Sequence, residues 1–192
     1  MADPIAKFRK WFKGAKAASV PIPEAMALAT ADNRGRPSVR YVLLKGVDPD
    51  GSFVFYTNSH SRKGRELSAN PYASLAFYWD ATGQQVRVEG KLQGLAAAAA
   101  DLYWASRPRG SQLASAVSSQ SRELDDRRDL VTRYRTLERS LAGSEVPRPA
   151  HWLGYRVRPE RIEFWTRREP RLHHRELFVR RGQSWRRTLL EP

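Results

Sequence analysis

The stretch Arg161-Ile162-Glu163-Phe164-Trp165-Thr166-Arg167-Arg168-Glu169-Pro170-Arg171-Leu172-His173-His174-Arg175 joins an apolar strand to a cationic turn. Ile162 to Trp165 is typical of a β-strand, and two arginines and two histidines follow between residues 171 and 175. Arginine offers a rigid two-pronged donor for phosphate, and tryptophan offers a flat stacking face. The stretch therefore predicts contact with a planar anionic ligand. The alternative is that the tryptophan packs in a core or interface and the arginines face solvent.

Length and composition predict one folded domain covering residues 1–192. The chain is 41% hydrophobic and carries 34 Lys and Arg against 20 Asp and Glu, a formal net charge of +14. Such an excess favours an anionic partner, which could be nucleic acid, an anionic membrane surface or a phosphorylated small molecule. The absence of cysteine excludes disulfides and thiolate metal sites. With no signal-like or membrane-spanning apolar segment in the sequence, we expect a soluble cytoplasmic protein.

Periodicity predicts a mainly β fold with attached helices. Helices are expected at 4–18, where Asp3 caps and Pro4 starts the first turn, at 96–106, and at 122–142. Alternation and β-branched residues predict strands at 25–31, 38–46, 53–57, 73–79, 84–95, 152–157, 161–165, 177–180 and 185–190. Many short antiparallel strands with few helices indicate a barrel or a sandwich.

Two segments combine cations with hydroxyl groups in the way that phosphate sites do. The first is 56–64, where Tyr56 and Thr57 end a strand and Arg62 and Lys63 begin a helix that Ser61 can cap. In the second, Tyr103 and Arg107 are four residues apart, which places them on one face of a helix, and Ser111 follows in a turn.

Three further places carry polar groups suited to a ligand. Arg40 and Lys45 are expected at the two ends of the strand 38–46, at the rim of a barrel. Gln85, at the head of its strand, could hydrogen-bond the edge of a heterocycle, and Gln120-Ser121 offers donors before the long helix. The sequence has no Gly-x-Gly-x-x-Gly or Walker-type loop, which excludes nucleotide binding by those devices.

Taken in order, these segments resemble the pyridoxamine 5′-phosphate oxidase family from Asp3 to Pro192. The more specific matches are Ser106-Arg107-Pro108-Arg109-Gly110-Ser111-Gln112 and Arg171-Leu172-His173-His174-Arg175. The others are Pro23-Glu24-Ala25-Met26, Arg40–Lys45, Phe55-Tyr56-Thr57-Asn58, Ser61-Arg62-Lys63, Gln85-Val86, Gln120-Ser121, Val146-Pro147 and Ile162-Glu163-Phe164-Trp165. The chain departs from the common pattern at Ile22 and His174 and begins just before its first helix, which bears on substrate closure and preference.

The resemblance implies a single split β-barrel domain that forms a homodimer, with FMN at the subunit interface and no metal. It implies FMN contacts at Arg40, Tyr41, Val42, Leu43, Leu44, Lys45, Tyr56, Thr57, Arg62, Lys63, Gln85, Gln120, Ser121, Trp165 and Arg175. The implied substrate contacts are Lys45, Tyr103, Arg107, Ser111, Arg171, Leu172 and His173, with Arg171 and His173 as the catalytic pair at the pyridine ring.

The activity that the resemblance implies is FMN-dependent oxidation of pyridoxamine 5′-phosphate, and of pyridoxine 5′-phosphate, to pyridoxal 5′-phosphate. Dioxygen would be reduced to hydrogen peroxide, and neither nucleic acid nor membrane would be a partner. Three alternatives remain open at this point: a diverged FMN oxidase of another substrate such as a phenazine-type precursor, a non-catalytic flavin- or pyridoxal-phosphate-binding protein, and, from charge alone, a nucleic-acid binder.

Overall fold

The computed structural model describes residues 3–192, and within that range the chain forms five α-helices and nine β-strands. The helices are α1 (Pro4–Ala17), α2 (Arg62–Ala69), α3 (Ala97–Ala105), α4 (Arg109–Val117) and α5 (Arg127–Ser140). The strands are β1 (Ala25–Ala31), β2 (Pro37–Leu43), β3 (Gly46–Val47), β4 (Phe53–Asn58), β5 (Tyr72–Trp79), β6 (Gln84–Gly94), β7 (Trp152–Thr166), β8 (His174–Arg181) and β9 (Ser184–Leu190).

The strands form one antiparallel sheet that curls into a half-barrel. Its order is β2-β1-β5-β6-β7-β4-β3, with β8 paired to β7 and β9 paired to β8. The long strand β7 is the branch point, because its first half pairs with β4, its second half pairs with β8, and β6 runs along both halves. The mainly β class expected from the sequence is confirmed.

An aromatic core fills the concave side of the sheet. Phe53, Phe77 and Trp79 are almost completely buried, and α1 closes the barrel over them with Phe8, which is 0% exposed. The ring of Phe8 meets that of Phe53 edge-on, with the centroids 4.8 Å apart. Helix α1 begins as expected, since the Asp3 carboxylate accepts a hydrogen bond from the backbone N–H of Ile5 at 2.8 Å, and it ends one residue early, at Ala17.

A second apolar cluster attaches helices α3, α4 and α5 to the start of β7. Trp104 of α3 and Leu113 of α4 are buried there against Trp152. The indole N–H of Trp104 donates to the carbonyl of Val146 at 2.7 Å, so its polar atom is satisfied. This cluster fixes the turn between α3 and α4 beside strand β4.

The strand expected at 38–46 is wrong in its bounds, because the chain changes partner between Leu44 and Lys45. The backbone N–H of Leu44 donates to Glu24, whereas that of Lys45 donates to Val54 on the opposite side of the sheet. The segment therefore divides into β2 and β3. Arg40 consequently lies in the middle of β2, not at a strand end, and Lys45 lies at the change of partner.

Several other expected boundaries change, and the strand expected at 177–180 extends over His174–Arg181. The long helix begins at Arg127, not at 122, because Asp126 caps it by accepting a hydrogen bond from the backbone N–H of Arg128 at 2.7 Å. The segments 152–157 and 161–165 form the single strand β7, whose pairing with β6 shifts register at Gly90. The turn expected after Arg107 is helix α4 from Arg109 onward. No helix between residues 3 and 192 has both the length and the apolar character needed to cross a bilayer.

Candidate functional site

A cavity of about 740 Å³ opens between β2, β4, the start of α2, the α3–α4 turn and the loop before α5. It gathers a large part of the expected ligand contacts, namely Arg40, Tyr41, Val42, Leu43, Lys45, Tyr56, Thr57, Arg62, Lys63, Tyr103, Arg107, Ser111, Gln120 and Ser121. Its volume lies in the range of about 300–1,000 Å³ that is typical of sites for small ligands.

At one end of the cavity, the first turn of α2 presents a buried lysine. Ser61 caps the helix as expected, with its hydroxyl accepting from the backbone N–H of Gly64 at 3.2 Å. The ammonium of Lys63 donates to Thr57 and Ser61 at 3.2 Å and to the side-chain carbonyl of Gln120 at 2.9 Å. A cation at a helix N-terminus, surrounded by hydroxyls, is a ready site for an anion.

Burial lowers the pKa of Lys63. The charge of Arg40 lowers it further and Glu66 partly restores it, so that the pKa comes to about 8. Near neutral pH the group is still mainly charged, yet its surroundings favour loss of the proton. An anion bound next to Lys63 would stabilise its charged form and so offset the effect of burial and of Arg40.

A buried carboxylate on α2 binds two of the cavity arginines. Glu66 is 6% exposed, and one of its oxygens accepts from Arg62 at 2.8 Å. The other oxygen accepts from the hydroxyls of Thr30 and Ser38 and from Arg40, the last at 3.2 Å. Burial alone raises the pKa of Glu66, but these hydrogen bonds outweigh it and lower the pKa to about 2. Glu66 is therefore ionised across the physiological range.

At the other end of the cavity, Arg107 lies among aromatic rings. Its guanidinium carbon is 4.8 Å from the ring centre of Trp152 and 5.1 Å from that of Trp104. One terminal nitrogen, Nη2, donates to Ser115 at 3.0 Å, whereas Nη1 is buried without a hydrogen-bond partner among residues 3–192. Burial lowers the pKa of Arg107. A half-buried guanidinium with a buried, unused donor atom is suited to an anionic acceptor.

The wall next to Arg107 is an aromatic stack. The ring of Tyr56 is stacked 4.2 Å from that of Tyr103 and 5.2 Å from that of Trp152. The ammonium of Lys45 lies 5.7 Å from the centre of the Tyr103 ring. The expectation that Tyr103 and Arg107 share a helical face is wrong, since α3 ends at Ala105 and Arg107 lies in the following turn. Both side chains nevertheless line the same cavity.

Apart from Leu44, the remaining expected contacts form a second group on β6, the end of β7, the following turn and β8. Gln85 of β6, Trp165 of β7 and Arg175 of β8 are direct cross-strand neighbours and make one row. Arg175 donates to the buried carboxylate of Glu163 at 2.8 Å, and this hydrogen bond raises the pKa of Arg175. Glu163 also lies 2.9 Å from Arg87, and Nη1 of Arg175 donates to the carbonyl of Glu191 at 2.7 Å, so the Arg175 guanidinium is held at two points.

The turn after β7 carries the expected catalytic pair. Arg171 is exposed and has a backbone φ of +82°, a left-handed conformation that costs a non-glycine residue about 1–3 kcal/mol. The ring of His173 lies 4.6 Å from that of Trp165. Its Nδ1 accepts from the backbone N–H of Arg168 at 3.2 Å, so the proton of the neutral ring is on Nε2. His173 can therefore offer an Nε2–H donor to a ligand.

The two groups are separate within one chain. Leu172, His173 and Arg175 of the second group line a cavity of about 470 Å³, which has no lining residue in common with the first. Of the remaining expected contacts, Leu172 is exposed in the turn, and Leu44 is a buried core residue outside both cavities. Between residues 3 and 192 no three side chains of metal-ligating type cluster closely enough to hold a metal ion.

Several residues that line the cavity or hold its lining residues were not anticipated from the sequence. Glu66 could have been found, because it lies four positions after Arg62 on a short helix, which is the spacing of a helical ion pair. Ser115 and Trp152 had no local signal, since they reach Arg107 only through the packing of α4 and β7.

Comparison with known proteins finds the same family along almost the whole chain. Residues 12–139 match a family model described as pyridoxamine 5′-phosphate oxidase, and residues 152–192 match one described as the pyridoxine 5′-phosphate oxidase C-terminal dimerisation region. A pyridoxine/pyridoxamine 5′-phosphate oxidase of Rubrobacter xylanophilus is 53% identical over 190 residues, covering 99% of this chain and 87% of the relative. One of Gluconobacter oxydans is 50% identical over 191 residues, covering 100% and 95%.

Solved structures share the fold. PhzG from Burkholderia lata 383, in complex with tetrahydrophenazine-1-carboxylic acid, superposes with a TM-score of 0.94 at 38% identity, covering 100% of this chain and 94% of that one. A pyridoxamine 5′-phosphate oxidase-related, FMN-binding protein from Nostoc punctiforme superposes with a TM-score of 0.79 at 18% identity, with both chains fully covered. The second likeness concerns the fold alone and confirms the expected split barrel.

Proposed function

This chain belongs to the pyridoxamine 5′-phosphate oxidase family, and from that premise we propose that it oxidises pyridoxamine 5′-phosphate and pyridoxine 5′-phosphate to pyridoxal 5′-phosphate with FMN. The observation that carries the proposal is the cavity with a cationic site at each end. Two phosphorylated ligands side by side would repel each other, and separate cationic sites offset that repulsion.

The first cationic site fits the phosphate of FMN. Arg40, Arg62 and Lys63 meet there at the N-terminus of α2, with Thr57 and Gln120 beside them. An anion bound here would stabilise the charged form of Lys63, which supports this assignment. The cavity between the two cationic sites is large enough for a planar ring system.

The second cationic site fits the phosphate of the substrate. Tyr103, Arg107 and Ser111 line it, and the buried, unpartnered Nη1 of Arg107 is the donor that a phosphate oxygen would use. Lys45 lines the same cavity, with its ammonium near the Tyr103 ring, and could contact either ligand.

We propose that a second copy of the chain completes each site. The matched dimerisation region, 152–192, contains Trp165, Arg171, His173 and Arg175, which one chain keeps apart from its own cavity. The exposed apolar side chains of β2, Val39 and Tyr41, border the cavity and are suited to contact with another subunit. In a symmetric dimer each turn would reach the cavity of the other copy.

FMN, when bound, would supply the redox chemistry by taking a hydride from the substrate and passing the electrons to dioxygen, which leaves as hydrogen peroxide. The protein orients the substrate and excludes water. The Arg171 guanidinium would lie against the pyridine ring and hold the reacting carbon in position for hydride transfer. His173 would donate its Nε2–H to the substrate, while water takes the proton released by the amine.

The direct test is purification followed by anaerobic addition of substrate. We expect a yellow protein whose flavin absorbance bleaches with pyridoxamine 5′-phosphate and returns with oxygen, releasing hydrogen peroxide. A protein that binds FMN but never bleaches would be a non-catalytic binder. One that binds no flavin would refute the proposal.

The pKa of Lys63 leads to a pH prediction for FMN binding. The free protein loses the Lys63 proton above about pH 8, and a phosphate dianion next to the ammonium would raise that pKa in the complex. Affinity should therefore be full below pH 8 and should fall as the pH rises from 8 towards the pKa of the complex, with one proton taken up on binding. Calorimetry at about pH 8.5, in buffers of different ionisation enthalpy, measures that uptake. A wild-type protein that takes up no proton would contradict the assignment, and Lys63→Met should abolish the uptake.

A second candidate activity follows from the likeness to PhzG, at 38% identity. In that case the substrate would be a reduced phenazine carboxylic acid, which has no phosphate. The lining of Tyr103, Arg107 and Ser111 favours a phosphorylated substrate instead. Turnover of pyridoxamine 5′-phosphate and of tetrahydrophenazine-1-carboxylic acid by the same preparation separates the two activities.

A further inference from the structure

We propose that Glu66 is a positioning residue for the flavin phosphate, because it holds Arg40 and Arg62 in one arrangement on the cavity wall before the ligand arrives. The inference rests on the proposed FMN site. It concerns a residue that was not among the expected ligand contacts and that does not line the cavity.

The contacts of Glu66 reach both arginines from one carboxylate. One oxygen takes the Nε–H of Arg62 at 2.8 Å, and the other takes Nη2 of Arg40 at 3.2 Å. The arginines come from different elements, Arg40 from the middle of β2 and Arg62 from the first turn of α2. Glu66 thus ties the strand and the helix together at the point where a phosphate would be bound.

Thr30 and Ser38 fix the orientation of this carboxylate and of Arg40. Both hydroxyls donate to the same Glu66 oxygen, and both also accept from Arg40. Arg40 donates in addition to the carbonyl of Leu28 at 3.3 Å. A partly buried guanidinium with this many fixed partners loses little further freedom when it binds an anion, which is how preorganisation raises affinity.

A carboxylate near a phosphate would by itself weaken anion binding, so its presence calls for a reason. Arg40, Arg62 and Lys63 crowd three positive charges into one partly buried place, and without a counter-ion they would repel one another. Glu66 supplies one negative charge with both oxygens occupied and leaves a net positive site. Its side chain is only 7% exposed, so solvent screens this effect weakly.

The charge of Glu66 also acts on Lys63. The charged groups that shift the pKa of that ammonium are Arg40 from β2 and Glu66 from α2, and its hydrogen-bond partners Thr57, Ser61 and Gln120 are neutral. Arg40 lowers the pKa of Lys63 and Glu66 raises it. Removing the carboxylate would therefore make Lys63 lose its proton at lower pH, which a purely structural residue would not do.

The test compares FMN with riboflavin, which has the same ring and no phosphate. We expect Glu66→Gln to weaken FMN binding at least about tenfold, the effect of misplacing one charge-assisted hydrogen bond. Riboflavin affinity, measured by quenching of flavin fluorescence, should change less than about twofold. The loss of FMN affinity should also grow between pH 7 and about pH 8.5, as Lys63 loses its proton earlier.

Glu176→Gln is the matched control. Glu176 is 7% exposed, close to the 6% of Glu66, and it too is bound by two cations, Lys7 and Arg187, but it lies on β8 outside the cavity. We expect it to leave the ratio of FMN to riboflavin affinity unchanged. If Glu66→Gln does not fold, Glu66→Asp can replace it, because aspartate keeps the charge on a shorter side chain. Glu66→Asp should weaken FMN binding but leave the pH dependence of that binding as in the wild type.

Two results would overturn the inference. Equal losses of FMN and riboflavin affinity would make Glu66 a structural residue only, and an unchanged FMN affinity in either Glu66 variant would remove its positioning role. Failure of the proposed function is a different observation, because there the wild-type protein itself would not bind FMN.

Discussion

Replacing Arg171 with alanine is expected to lower turnover of pyridoxamine 5′-phosphate about 100-fold, the effect of losing a group that holds the reacting ring in position. The Arg171 side chain makes no hydrogen bond within residues 3–192, and its left-handed backbone places it exposed at the tip of the turn. A strained arginine whose side chain makes no such bond does not stabilise the fold, which supports a role in binding the ligand. FMN should remain bound, because the proposed phosphate site lies elsewhere.

Two measurements check the Arg171 prediction. Stopped-flow reduction of the flavin without oxygen gives the rate of the chemical step, and flavin fluorescence gives FMN affinity. Arg168→Ala is the control, since Arg168 is in the same turn and contributes to His173 only through its backbone N–H. Normal turnover in Arg171→Ala would show that the assigned catalytic role is wrong.

Replacing Arg107 with alanine is expected to raise KM for the phosphorylated substrate about 100-fold with a smaller change in kcat, because a bond to a charged group serves ground-state binding. The buried Nη1 of Arg107 has no partner among residues 3–192, and its neighbours are Trp152, Trp104 and Ser115. Removing it would take away the donor placed for the substrate phosphate. Unphosphorylated pyridoxamine should be turned over as poorly by the variant as by the wild type.

The control for Arg107 lies two residues further on. Arg109 donates to the carbonyls of Leu141 and Ser144 at the end of α5, so Arg109→Ala should lower stability without changing KM. An unchanged KM in Arg107→Ala, or an equal rise in both variants, would contradict the phosphate assignment.

Local sequence signals predicted the parts of the fold that depend on near neighbours. The helix caps at Asp3 and Ser61 lie where expected, because a capping side chain accepts a hydrogen bond from a backbone N–H only two or three residues later. Alternation located the strands, since period-2 burial follows from the pleat. The continuity of β7 as one strand, and the change of partner between Leu44 and Lys45, depend on which strands pair. Those strands are far apart in sequence, so no local sequence pattern predicts their pairing.

The site was predictable in its residue types and less so in its arrangement. Arg62 and Lys63 after a capping serine indicated a phosphate site, and they line the main cavity. Arg107 was expected on a helical face, yet it reaches the cavity from a turn, held by aromatic packing that no local spacing encodes. Leu44 was included with its neighbours in a run of contacts, but alternation turns its side chain into the core.

The central claim is that Arg107 of one subunit and Arg171 of the other serve the same site, and a mixed dimer tests it most directly. Arg107→Ala and Arg171→Ala chains can be co-expressed with different tags and the mixed dimer isolated by both. Each homodimer should have little activity at low substrate, while the mixed dimer holds one intact site and one doubly altered site and should recover about half of wild-type activity. A mixed dimer no more active than its parents would place both arginines in the same subunit's site and contradict the claim.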